Sequence, residues 1–165
     1  MVVHVRLRVR AASGAERELV VLANGGAHSP EPVLAVDEVL AGELGLRGGE
    51  VVEVSTADAT RRARLLRDAA EVVLLGEGGE ELARLRVHVV VHPGLEEPII
   101  TDSTIDALGI QVVSFSRGLW RHASDPPGVV RASARERCLA GGGPQDPRYQ
   151  RVDERESSER EGASR

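Results

Sequence analysis

Leu19-Val20-Val21-Leu22-Ala23-Asn24-Gly25-Gly26-Ala27, with the segment Glu31-Pro32-Val33-Leu34-Ala35-Val36-Asp37-Glu38-Val39-Leu40-Ala41-Gly42-Glu43-Leu44-Gly45-Leu46 after it, decides how this chain is read. The second part is echoed by Glu97-Pro98-Ile99-Ile100-Thr101-Asp102-Ser103-Thr104-Ile105-Asp106-Ala107-Leu108-Gly109-Ile110. Both copies run Glu-Pro, an apolar pair, a polar segment and then Leu-Gly-aliphatic, which suggests an internal pseudo-two-fold.

Outward from the repeat, the pattern is one of short strands. Val3, Val5, Leu7 and Val9 alternate with His4, Arg6, Arg8 and Arg10, the period of a half-buried strand. Leu19 to Ala23 is continuously apolar, as in a strand buried on both faces. Pro30 and Pro32 force a loop before Val33, and Val36 to Leu46 holds a short helix or a turn. Val51–Thr56 and Arg61–Leu66 predict a hairpin across Ala57-Asp58-Ala59, and Glu71–Leu75 with Leu82–Val91 a second one. Ile99-Ile100 is a short strand, followed by a helix over 104–108 that Asp102 or Ser103 can cap and Gly109 closes. Many strands and one convincing helix, near the C-terminal end of the body, predict an all-β barrel or sandwich over 1–122. Residues 123–165 lack any apolar period and read as a disordered charged tail, with room for a brief helix around 129–139.

Composition narrows the classes. A protein of 165 residues has room for one domain and a tail. Net charge of -5 gives no basic patch for nucleic acid. Cys138 stands alone, which excludes an intrachain disulfide and a thiolate zinc cage. No apolar run resembles a signal peptide or a membrane span, so a cytoplasmic protein that needs no cofactor is the expectation. His88 and His92 share a strand face, but four residues along a strand span roughly 13 Å, too far to hold one ion, and no metal site is predicted. Phe115 and Trp120 are either core filling or anchors for a partner.

The strand running into Asn24-Gly25-Gly26-Ala27, together with Ile99-Ile100-Thr101-Asp102 and Ile105-x-x-Leu108-Gly109-Ile110, resembles the retropepsin-like aspartic proteases, in particular small archaeal members. The resemblance spans about Val2 to His122 and implies an acid-protease barrel with an internal pseudo-two-fold and one short C-terminal helix. It places Asn24, with Gly25 and Gly26, at the catalytic Asp-Thr/Ser-Gly triplet, puts Ala57, Asp58 and Ala59 on the flap, and makes Asp102 structural. It also implies a homodimer in which each subunit supplies one aspartate. Two carboxylates sharing a proton are the chemistry of that site, and an asparagine amide does not titrate near neutral pH. The implied function is therefore a catalytically inactive, dimeric module that binds a peptide or unfolded protein segment by strand addition.

Two alternatives stay open. An active aspartic endopeptidase would need another carboxylate, with Asp102 the first candidate, or a modified Asn24. Asn-Gly is chemically labile and its deamidation restores a carboxylate. Asn24-Gly25 is equally a hairpin signal, because both residues tolerate positive φ. In that case the protein is a β interaction module unrelated to proteases.

Overall fold

The computed structural model describes residues 2–134. The order of elements is β1 (His4–Ala11), β2 (Glu16–Ala23), β3 (Val33–Val36), α1 (Glu38–Glu43), β4 (Glu50–Ser55), β5 (Thr60–Leu75), β6 (Glu81–Val91), β7 (Ile99–Ile100), α2 (Asp102–Ala107), β8 (Ile110–Ser114), β9 (Leu119–His122) and β10 (Arg131–Ala132). The alternation in β1 does what its period requires: Val5, Leu7 and Val9 are buried, while Arg6, Arg8 and Arg10 face outward. Those outward arginines meet carboxylates of neighbouring strands, Arg6 with Glu18 at 3.0 Å and Arg8 with Glu81 at 2.9 Å.

Seven strands form one sheet in the order β1-β2-β7-β3-β6-β5-β4, with β1 also paired to β5. Most pairings are antiparallel, but β2 runs parallel to β7 and β3 parallel to β6. β8, β9 and β10 form a separate three-stranded sheet. The core fills between these layers with aliphatic side chains, including Leu7, Leu34, Val36, Leu44, Val89, Ile100 and Leu108, and with Trp120.

The sequence suggested two strands where the structure has the single long β5. Its register against β6 breaks between Leu66 and Ala70. Asp68 sits in that break with φ 48°, the only described residue other than glycine at positive φ. Its N–H is satisfied by Nδ1 of His88 at 2.8 Å, which leaves Nε2 to carry the proton toward Glu31 at 2.6 Å. The bulge thus lets one strand serve two neighbours: the first half of β5 pairs with β4 and the second half with β1.

The retropepsin-like barrel is corrected by this topology. The protein forms a mixed, mostly antiparallel sheet whose last strand, β4, has no second strand partner among the described residues, and β8, β9 and β10 stand apart in a second sheet. The physical reason lies in β5, whose first half pairs with β4 and so carries the sheet on to an edge strand, and in β8, β9 and β10, which pair with one another. The repeated segments do fold alike locally, each as a short strand, a six-residue helix and a glycine at positive φ (Gly45 and Gly109). That local likeness does not carry a barrel with it, and among the described residues there are two short helices, α1 where a helix or a turn was open and α2 where one helix was expected.

Residues 123–134, grouped with the tail by composition, hold β10, and Arg131 binds Asp125 through two bonds of 2.8 and 2.7 Å. The Arg131 guanidinium, aided by the His122 N–H, keeps the Asp125 carboxyl well below the usual carboxylate range. Arg131 also lies over the Trp120 ring, 5.7 Å from its centroid. The rest of the expected tail, Cys138 included, lies outside the described residues. Among the described residues no helix is long and apolar enough to cross a membrane.

Candidate functional site

The backbone between β2 and β3 wraps over the start of α2. Leu22 N–H donates to the Pro98 carbonyl at 2.9 Å and Asn24 N–H to the Ile100 carbonyl at 3.2 Å, so β2 is fastened to β7 up to its last residue. Asn24 then turns the backbone: its Oδ1 accepts the Gly26 N–H at 3.0 Å, and its carbonyl accepts the Ala27 N–H at 3.0 Å. This is an Asx turn, the behaviour expected of asparagine before two glycines. The carbonyl of the same Ala27 accepts the N–H of Asp102 at 2.9 Å.

Asp102 completes the clasp. Its Oδ1 accepts the N–H groups of Ser29 at 3.0 Å and Ser103 at 2.7 Å, while its Oδ2 faces His28 Nδ1 at 2.8 Å. The His28 hydrogen bond, with the Ser29 and Ser103 N–H groups, holds this carboxyl below its ordinary range. Behind it the Ser29 hydroxyl donates to the Glu31 carbonyl at 2.7 Å and is hydrogen-bonded to the hydroxyls of Thr101 (2.6 Å) and Ser103 (2.9 Å). Thr104, fully buried, accepts the Val33 N–H at 2.8 Å and donates to the Val33 carbonyl at 2.9 Å. The hydroxyl and carboxyl groups of Ser29, Thr101, Asp102, Ser103 and Thr104 thereby join the loop, β3 and α2.

Chemically this is a satisfied carboxylate and not an acid–base pair. A carboxylate that accepts three hydrogen bonds is stabilised as the anion and is a poor proton acceptor at neutral pH. None of these hydrogen bonds brings a second carboxylate to Asp102; the nearby Glu31 is turned to His88 instead. The peptidase reading and its inactive, peptide-binding variant both rested on the barrel, and both fall with it.

The residues singled out from sequence scatter accordingly. Asn24, Gly25 and Gly26 form the turn, and main-chain bonds bring them to the β7–α2 junction that Asp102 occupies. Ala57, Asp58 and Ala59 form the β4–β5 turn, closed by the Thr56 N–H to the Ala59 carbonyl at 2.8 Å and by the Thr56 hydroxyl near Asp58. All hydrogen bonds described for that turn stay inside the hairpin. Asp102 is the first residue of α2, with Thr101 as the N-cap, rather than the cap itself. His28, Ser29, Thr101 and Thr104 were not singled out. Nothing in the local pattern marks them, since their partners lie about seventy positions away. His122, buried at the C-terminal end of β9, donates from Nε2 to the Leu108 carbonyl at 2.9 Å and braces Gly109. Trp120 is 3% exposed and fills the core, whereas Phe115 is 55% exposed and does not.

The clasp makes acid stability a test of Asp102. A carboxylate whose folded pKa is depressed adds stability above its unfolded pKa of about 4, and that stability is lost as pH falls through the folded value. Asp102→Asn should therefore melt at a lower temperature than wild type at neutral pH, and the gap should close as the solution is acidified. A gap that stays constant across the acid range would show that the ionised carboxylate adds nothing to the clasp. No protein-family model matches this sequence and no curated protein matches it, so what the protein does has to be argued from its own geometry.

Proposed function

We propose that this protein works by assembly, as a homodimer in which β8 of one copy pairs with β8 of a second copy. The observation that carries this reading is the edge formed by β8. No described strand pairs with its outer side, and the run Ile110-Gln111-Val112-Val113-Ser114-Phe115-Ser116 contains no charge, proline or glycine. Val113 in β8 is 51% exposed, and Phe115, the first residue of the turn that follows, is 55% exposed.

An unpaired strand edge is a template for another strand, and proteins ordinarily protect it with charge, proline or a bulge. β4, the edge of the larger sheet, has such protection: Glu50 and Glu53 interrupt its valines. β8 has no charge of this kind, and its register shift lies against β9, on the side already paired. A second copy supplies a matching uncharged edge. Antiparallel pairing about a two-fold centred on Val113 sets Val113 against its counterpart and Val112 against Ser114, with no like charges opposed. Main-chain bonds then give the pairing, and the two phenylalanines supply the apolar area, at about 25 cal/mol per Å² removed from water.

The test is molar mass against concentration by light scattering, for wild type and for Val113→Lys. Wild type should approach the mass of a dimer as concentration rises from about micromolar to millimolar. Val113→Lys, changed at an exposed position, should keep its circular dichroism spectrum and remain a monomer. A wild type that stays monomeric throughout, or a lysine variant that dimerises equally well, would end the proposal.

A further inference from the structure

We infer that Asn24 is a modification site, converted to aspartyl and isoaspartyl residues by spontaneous deamidation of the folded protein. It is the only asparagine in the sequence, and Gly25-Gly26 follow it. Both glycines are exposed, and among the described residues no hydrogen bond engages the Gly25 N–H, so it is open to solvent base. The Asx turn adds the second element. Oδ1 of Asn24 already accepts the Gly26 N–H at 3.0 Å, which polarises the carboxamide and is placed to stabilise the oxygen as it becomes negative during attack.

The Gly25 amide nitrogen gives up its proton to solvent base and attacks Cγ of Asn24. The Cγ–Nδ2 bond breaks, the departing nitrogen takes a proton and leaves as ammonia, and a five-membered succinimide closes. Water then opens the ring. Cleavage at the side-chain carbonyl, between Cγ and the ring nitrogen, gives aspartate on the normal backbone. Cleavage at the backbone carbonyl of residue 24 gives isoaspartate. One water is consumed and one ammonia released, with no oxidation or reduction.

Isoaspartate lengthens the backbone between Ala23 and Gly25 by one carbon. Two bonds depend on that spacing, Asn24 N–H to Ile100 and Ala27 N–H to Asn24. Conversion should therefore loosen the loop that delivers His28 and Ser29 to Asp102.

The test is a time course at neutral and mildly alkaline pH, with peptide mass mapping and chromatographic separation of the two isomers. Native wild type, urea-unfolded wild type, Gly25→Val and Gly26→Pro are followed together. Native wild type should gain the amide-to-acid mass change at residue 24 and show both isomers. Gly26→Pro, which lacks the donor, should convert several-fold more slowly, a smaller effect than the roughly 10²-fold of a donor in a water-excluded site. Gly25→Val, with its amide shielded, should be slower than native wild type as well. An amide that survives in the native protein while the unfolded protein loses it would overturn the proposal, as would an amide intact in both. A Gly26→Pro variant that matches native wild type would remove the role given to the turn.

Discussion

Leu34→Ala is expected to cost about 2–5 kcal/mol of folding stability, the range for deleting a buried leucine side chain. Leu34 lies in β3, paired on one side with Val89 of β6 and on the other with Ile100 of β7, and is fully buried. Its side chain belongs to the one cluster that also contains Leu44, Val36 and Leu108, so the cavity would open in the middle of the core. β3 and β7 are four and two residues long, held by few ladder bonds of their own, so they depend on side-chain packing to stay in place. Against a total of about 5–15 kcal/mol for a typical domain, such a loss is a large fraction. Urea unfolding measures it directly: the midpoint should fall sharply with an unchanged slope. A loss below about 1 kcal/mol would mean that the neighbouring strands collapse into the space, and that β3 is not a fixed part of the core.

The same short strands explain what was legible in the sequence. β1 could be read from Val5, Leu7 and Val9 because a period of two is a local signal, and β6 for a similar reason. The turn at Asn24 and the helix after Ile100 were equally local, one written in Asn-Gly-Gly and the other in a polar start and a closing Gly109. Strand partners were not local. β7 has only Ile99 and Ile100 to announce it, yet it sits between β2 and β3 and sets one parallel and one antiparallel pairing. The likeness between residues 31–46 and 97–110 is real at the level of strand, helix and glycine, and it misled at the level of sheet closure. The candidate site divides in the same way. Asp102 was visible as a helix-start carboxylate, but its partners His28 and Ser29 lie 74 and 73 positions away, beyond any spacing rule. The exposure of Phe115 beside the burial of Trp120 was also unreadable, because it depends on where β8 ends and the turn to β9 begins.

Thr104→Val should destabilise the protein by roughly 2–4 kcal/mol although the two side chains have almost the same shape, since removing one partner leaves buried groups at about 1–3 kcal/mol each. Thr104 is fully buried in α2, and its hydroxyl takes the N–H of Val33 at 2.8 Å, gives its proton to the Val33 carbonyl at 2.9 Å and meets the Thr101 hydroxyl at 3.1 Å. One side chain thus serves both main-chain groups of Val33, whose carbonyl otherwise has only the longer bond from the Thr101 N–H at 3.4 Å. The valine methyl fills the space and satisfies none of these groups, so the comparison isolates hydrogen bonding from packing. Thr104→Ser keeps the hydroxyl and loses a methyl, and it should fall between wild type and Thr104→Val. The two variants together separate the terms in urea unfolding: valine lower than serine assigns the junction of β3 and α2 to its hydrogen bonds, whereas serine lower than valine assigns it to packing. The outcome also reaches the loop above. Thr101 links Thr104 to Ser29, so loss of the hydroxyl should quicken amide exchange at Ser29 as well as at Val33, while exchange in β1, remote from this network, should change only by the global loss of stability.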